Sequence, residues 1–336
     1  MAGDAGEPAR GGVYLAAFLA PFAPWLEQAD VTDILVNQPG EVWVETLGGT
    51  MTRHEAPAVT ALNLTRLAAQ IARVTRQGVS REHPLLSAAL PSGERIQIVL
   101  PPATREAPAL AIRKHVLTDL SLADYACPAD PQSGGMAGGA GPLGRSEARA
   151  QVAALVGAGD LPGALQLAVR QRLNVVVSGG TGTGKTTFLN ALLKEIPATD
   201  RLVVIEDAPE VKVSQPNSVG LVAVKGVTGE AQVDANDLMQ AALRMRPDRI
   251  ILGELRGREA FTFLRAANSG HPGSITTLHA DSPAGAFDQL ALMAVQPGMA
   301  RADIQDFARS VVDVVVQLER RAGVRQIGAV EVTAAR

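Results

Sequence analysis

The chain has one cysteine, Cys127, so no disulfide can form within it and a reducing compartment suits it best. Aromatic residues are scarce at 3%, and no basic, aromatic-lined pattern of the kind that tracks single-stranded nucleic acid stands out. Positive charge is not in surplus, with 31 Lys and Arg against 34 Asp and Glu. That balance argues against a broad basic face for nucleic acid and leaves only a local patch open. Long apolar runs are missing too. No uncharged stretch approaches the roughly 18 residues that span a bilayer. The nearest, 13–26, is interrupted by Pro21 and Pro24 and follows no basic cluster, so it reads as neither a signal peptide nor a membrane helix. Phe18, Phe22 and Trp25 fall on one helical face of that stretch, suited to packing against the N-terminal part or to lying on a membrane surface.

Glycine is what the chain has in quantity, and two clusters of it organise the sequence. In the first, residues 129–146, glycines and two prolines occur with almost no large apolar residue; such a segment cannot bury a core and reads as a flexible linker. This sets the expected boundaries: an α+β domain over 1–126, a linker over 127–146 and a second domain over 147–336. Before the linker, strand patterns at 34–36, 42–45, 96–100 and 110–112 surround one helical pattern at 62–74. After it, helices are expected at 148–156 and 161–171. Strands at 202–205, 219–224, 250–252 and 275–278 then alternate with helices at 236–245, 259–268 and 283–293. That rhythm predicts an α/β domain with a mainly parallel sheet and helices on both faces.

The second glycine cluster is Gly179-Gly180-Thr181-Gly182-Thr183-Gly184-Lys185-Thr186-Thr187, between the apolar run Val175-Val176-Val177 and a helical segment at 188–193. This order of strand, glycine turn and helix start is that of a Walker A loop, which binds nucleoside triphosphate. The glycines let backbone N–H groups curl around a phosphate at the positive end of the helix. Residues 180–187 are the expected nucleotide contacts: Gly180, Thr181, Gly182, Thr183, Gly184, Lys185, Thr186 and Thr187. Lys185 would reach the β- and γ-phosphates, and the Thr186 hydroxyl would ligate Mg²⁺.

Parallel sheets collect ligands at the carboxyl ends of their strands. Three expected strands end in suitable groups: Glu206-Asp207 with Glu210 after 202–205, Glu254 after 250–252, and His279 after 275–278. Hydrolysis needs one carboxylate for the water and another for Mg²⁺. Glu254 follows a glycine where a Walker B strand usually carries Asp, which assigns it to Mg²⁺ through water and puts Glu206 forward as the base. His271 and His279 have no cysteine or third histidine nearby, so zinc is disfavoured. A phosphate sensor and a structural cap both stay open for them.

Walker A, the acidic box Ile205-Glu206-Asp207-Ala208-Pro209-Glu210, the run 246–257 ending in Glu254-Leu255-Arg256-Gly257, and the histidine box 270–279 resemble, in this order, the secretion and type IV pilus ATPase superfamily. Within it, Val36-Asn37-Gln38-Pro39-Gly40, Leu90-Pro91-Ser92-Gly93-Glu94-Arg95 and Ile112-Arg113-Lys114 are similar to the N-terminal domain of the VirB-class ATPases of type IV secretion. The resemblance covers about residues 21–332. It implies a RecA-like P-loop C-terminal domain, ATP and Mg²⁺ as ligands, and a homohexameric ring. It also implies a peripheral, cytoplasmic position at the inner membrane beside other secretion components; from the charge balance, no specific nucleic-acid binding is expected. Carried over residue by residue, Lys185 and Thr186 hold phosphate and Mg²⁺. Glu206 activates water, Glu254 is the Walker B acid, His279 is the sensor, and Arg95 and Arg113 reach the phosphates from the N-terminal domain. A pilus-retraction or type II secretion motor, a slowly hydrolysing nucleotide-gated scaffold and a DNA-translocating helicase are the rival readings.

Overall fold

The computed structural model describes residues 10–47, 49–114, 143–223, 232–321 and 324–334. Helix α1 (Arg10–Leu19) passes through a 3-10 turn (Ala20–Phe22) into the short α2 (Ala23–Leu26). Pro21 and Pro24 each stand in the first turn of their element, where a missing N–H removes no bond. Strands β1 (Val31–Val36), β2 (Gly40–Thr46) and β3 (Met51–Ala56) precede helix α3 (Ala61–Val74), and β4 (Leu85–Ala89), β5 (Arg95–Val99) and β6 (Ala109–Arg113) follow it. They form one antiparallel sheet in the order β3-β2-β1-β6-β5-β4.

Both faces of this sheet are covered, which explains why its central strands carry apolar residues on both sides. Ile34, Val36, Ile98, Leu110 and Ile112 pack with Phe22 and the Leu64, Leu67 and Ile71 stripe of α3. Their strand neighbours Leu35, Val99, Ala109 and Ala111 point the other way and join the core of the second sheet. The stripe of Phe18, Phe22 and Trp25 is spent on the first of these cores, with the Trp25 ring 5.6 Å from that of His54. Packing, not a membrane surface, takes that face.

The second part starts with α4 (Arg145–Gly157) and α5 (Leu161–Arg170). Then come β7 (Val175–Gly179), α6 (Lys185–Leu193), β8 (Leu202–Glu206), β9 (Ser218–Val222), α7 (Ala235–Ala242), β10 (Arg249–Leu252), α8 (Glu259–Asn268), β11 (Ile275–Leu278) and α9 (Pro283–Met293). The remaining elements are α10 (Arg301–Val311), β12 (Val314–Arg321) and β13 (Val324–Val332). The sheet order is β13-β12-β7-β11-β10-β8-β9, parallel except for the antiparallel β12–β13 pair. Alternate residues feed two cores. Val176, Val203, Ile205, Ile250 and Leu252 pack with α7, α8 and α9; Val175, Val177, Val204 and Ile251 pack with α4, α5 and α6. The expected α/β architecture is the observed one.

Two details depart from expectation. Arg145 and Ser146, placed in the linker by sequence, are helical, because Arg145 and Arg149 both bond the buried Asp313 carboxylate, the former at 2.9 Å. The remaining linker call, up to residue 142, lies outside the described residues, as does Val224 at the expected end of the strand at 219. No element was expected at β3, β4, α10, β12 or β13, yet β12 lies directly beside the Walker strand. Short apolar runs such as 314–316 do not distinguish strand from buried helix by period alone.

Candidate nucleotide site

Strand β7 runs into the glycine loop, and α6 begins at Lys185, earlier than the helical pattern at 188 suggests. Gly182 (φ +77°) and Gly184 (φ +90°) take the left-handed backbone that the turn demands. The Thr183 hydroxyl closes the loop by donating to the Gly180 carbonyl at 2.9 Å. Thr181, Gly182, Gly184, Lys185, Thr186 and Thr187 line a cavity of about 500 Å³ in front of the helix, whereas Gly180 and Thr183 do not line it.

Lys185 is buried, and its ammonium donates to the Gly179 and Gly180 carbonyls at 2.9 and 3.3 Å. Burial lowers its pKa from the usual lysine value, against the pull of Glu254. The same nitrogen lies 3.2 Å from His279 Nδ1, and His279 Nε2 lies 2.7 Å from Glu254 Oε1. Carboxylate and ammonium dictate the proton positions: Nε2–H donates to Glu254, and the Nδ1 lone pair accepts from Lys185. Lys185, His279 and Glu254 thus form one line across the cavity mouth. Arg256 pairs with Glu254 from the far side, its Nε 2.6 Å from Oε2. Glu259 fixes this corner by accepting from the Arg256 and Gly257 amides at 2.7 and 2.8 Å.

Glu206 ends β8 and shares a smaller adjoining cleft with Thr186, Glu210 and Glu254. It is only 4% exposed, and both oxygens are engaged. Oε1 accepts from Arg105 Nε at 2.9 Å and also from Nη2; Oε2 accepts from the Glu210 and Val211 amides at 2.9 and 2.8 Å. Glu254 therefore faces the phosphate cavity directly, while Glu206 stands behind it in a filled coordination.

The two histidines separate. A four-residue strand, β11, lies between them, so His279 sits at its carboxyl end and His271 at the opposite end of the sheet. His271 Nδ1 donates to the Pro247 carbonyl at 2.9 Å, and burial lowers its pKa from 6.5. The unfolded chain therefore binds this proton more readily than the folded one. Stability present above pH 6.5 should fall as the pH drops below that value, levelling off under the folded pKa. Melting curves between pH 7.5 and 5 for wild type and His271→Gln check this; the variant should lose that part of the acid-side slope.

Arg95 and Arg113, paired in register across β5 and β6, do not reach the Walker loop of their own chain. They line a separate cleft of about 360 Å³ with Arg244, and no residue of that cleft borders the phosphate cavity. Two cations that sequence reasoning missed do reach the site. Arg325, on β13, borders the phosphate cavity and lies against Gly184, where an added Cβ would be 3.1 Å from its Cδ. Arg105, in the loop after β5, holds Glu206. Nothing local marks Arg325; for Arg105 the available signal is Gly220, since a glycine inside an apolar strand announces the close approach of another group.

The sequence matches the type II/IV secretion system protein family over residues 157–326. It is 36% identical over 325 residues to the type IV secretion system protein VirB11 of Bartonella quintana, covering 91% of this chain and 89% of that one. It is 41% identical over 315 residues to the type IV secretion system protein PtlH of Bordetella pertussis, covering 89% and 88%. The crystal structure of the Brucella suis VirB11 ATPase in complex with sulphate superposes with a TM-score of 0.84 at 37% identity, over 96% of this chain and 95% of that one. With its Walker loop, acidic strand ends and two-sheet architecture in that common frame, the chain belongs to the type II/IV secretion system protein family, among the type IV secretion ATPases.

Proposed function

We propose that the chain hydrolyses ATP to ADP and phosphate with Mg²⁺, as a ring of six copies. Turnover moves the N-terminal sheets against the C-terminal ones and so drives pilus assembly or substrate transfer. The observation that carries this is the Lys185–His279–Glu254 line across the mouth of a complete Walker A loop. Lys185 and the loop amides bind the phosphates, and His279 links loss of the γ-phosphate to Glu254. Glu206 orients the attacking water. The Thr186 hydroxyl and Glu254 carboxylate border one cavity, a hard-oxygen set with room for water that fits Mg²⁺. When bound, the ion neutralises charge developing on the β- and γ-phosphate oxygens.

The division into an N-terminal domain up to 126, a linker and a C-terminal domain, which now begins with α4 at Arg145, belongs to the same reading. So does a peripheral place at the cytoplasmic face of the inner membrane with other type IV secretion components; no helix among the described residues is long and apolar enough to cross a membrane. Phosphate release with and without Mg²⁺, beside light scattering with nucleotide, tests the proposal. A chain that releases no phosphate, or stays monomeric at tens of micromolar, overturns it.

Arg95 and Arg113 support the ring, because their cleft lies apart from their own phosphate cavity and a neighbouring copy is where they would meet a nucleotide. Arg95→Ala and Arg113→Ala should lower turnover by about 10³-fold, the low end for an arginine on a transferring phosphoryl group, and lower ATP affinity much less. Steady-state rates beside equilibrium binding decide, and wild-type turnover in both variants would make them ordinary surface residues.

A further inference from the structure

Arg105 belongs to the N-terminal sheet by sequence and to the nucleotide-binding sheet by contact. The loop after β5 lies along the free edge of β9: Val222 N donates to the Ala103 carbonyl at 2.9 Å, Thr104 bridges Leu221, and Arg105 N donates to the Gly220 carbonyl at 3.4 Å. From this added strand the Arg105 side chain crosses Gly220 to reach Glu206. A Cβ at position 220 would stand 2.4 Å from Arg105 Nε, 2.6 Å from Cδ and 3.0 Å from Cζ, so any side chain there would force the arginine to move. The passage exists because residue 220 is glycine.

A carboxylate offers about four acceptor positions, and at Glu206 four donors fill them: Nε and Nη2 of Arg105 and the amides of Glu210 and Val211. A water can approach only where a donor yields. Nη2 is the donor with an alternative, since it also donates to the Val211 carbonyl at 2.8 Å. When it yields, Nε still orients the carboxylate. We infer that Arg105 is a positioning residue that acts through Glu206, setting the carboxylate for water and making that setting depend on the docking of the N-terminal sheet. The inference rests on the proposed hydrolysis of ATP with Glu206 at the water.

The test compares steady-state ATP hydrolysis, equilibrium ATP binding and melting temperature for the full chain and its variants. Arg105→Ala should lower kcat about ten- to a hundredfold, the scale of a misplaced catalytic group, with ATP affinity nearly unchanged. Arg105→Lys should recover little, because an ammonium lacks the planar fork that spans Glu206 and Val211. Gly220→Ala should reproduce the loss by pushing the guanidinium aside, yet add nothing in the Arg105→Ala background, where the obstacle meets no side chain. Glu45→Gln breaks another ion pair between the sheets, Glu45–Arg246, and should keep wild-type kcat. If Arg105→Ala melts below the assay temperature, Arg105→Gln carries the same comparison. Wild-type kcat without Arg105, a Gly220→Ala loss that persists without Arg105, or a kcat loss matched by lost ATP binding overturns the inference. A wild-type chain that releases no phosphate overturns the hydrolytic reading itself, and the inference with it.

Discussion

Lys185→Gln is expected to abolish measurable ATP turnover, a fall of at least about 10²-fold by analogy with removing one preorganised donor from a developing charge, while the chain keeps its fold. The ammonium stands at the start of α6 among backbone carbonyls, and among the described residues Lys185 is the only lysine bordering the phosphate cavity. Nothing in the Walker loop replaces it as a mobile cation at the γ-phosphate. The fold survives because burial already disfavours this charge. A neutral glutamine relieves that cost and retains an amide donor for the Gly179 and Gly180 carbonyls. Melting temperatures without nucleotide should therefore agree. With ATP at one hundred times its dissociation constant the wild type should gain about 2.7 kcal/mol, and the variant less. Undiminished phosphate release from Lys185→Gln would remove the basis for the Walker assignment.

The second large effect concerns the two carboxylates. Glu206→Gln should bind ATP yet turn it over about 10² to 10⁴ times more slowly, the range for lost general-base assistance. It should also melt lower. An amide has one oxygen and one NH₂, so whichever way it turns, its NH₂ confronts either the Arg105 guanidinium or the two backbone N–H groups that Glu206 now satisfies. Glu254→Gln should fall as far and also need more Mg²⁺, since Glu254, unlike Glu206, borders the phosphate cavity with Thr186. Rates across a Mg²⁺ titration, taken below each variant's melting temperature, separate the two. Near-normal turnover in Glu206→Gln with a dead Glu254→Gln would reverse the roles.

Much of the candidate site was legible because its parts are contiguous in the chain. The Val175–Val177 run, the glycine spacing and Lys185 occupy eleven consecutive residues, and a strand, turn and helix follow from their local preferences. Glu206, Glu254 and His279 each stand at or just past the end of a short strand run, so the parallel pairing of β8, β10 and β11 was enough to bring them to one edge. The pairing of β12 with β7 was less accessible, since no local period announced it. Arg95 and Arg113 show a different limit: both are where the motifs put them, opposite one another on β5 and β6, but which phosphate they face depends on how whole sheets dock.

The sequence by itself determined the nucleotide loop, the α/β alternation and the acidic strand ends, all of which rest on neighbours a few residues apart. The tertiary structure alone decided that Glu206 is held from the other sheet, across 101 residues of chain, by an arginine that passes over a glycine. It also decided that Arg325 returns from β13 to the Walker loop. Such contacts arise where two sheets bury a shared apolar face, and the charges carried to that boundary pair there by proximity in space, which no local periodicity records.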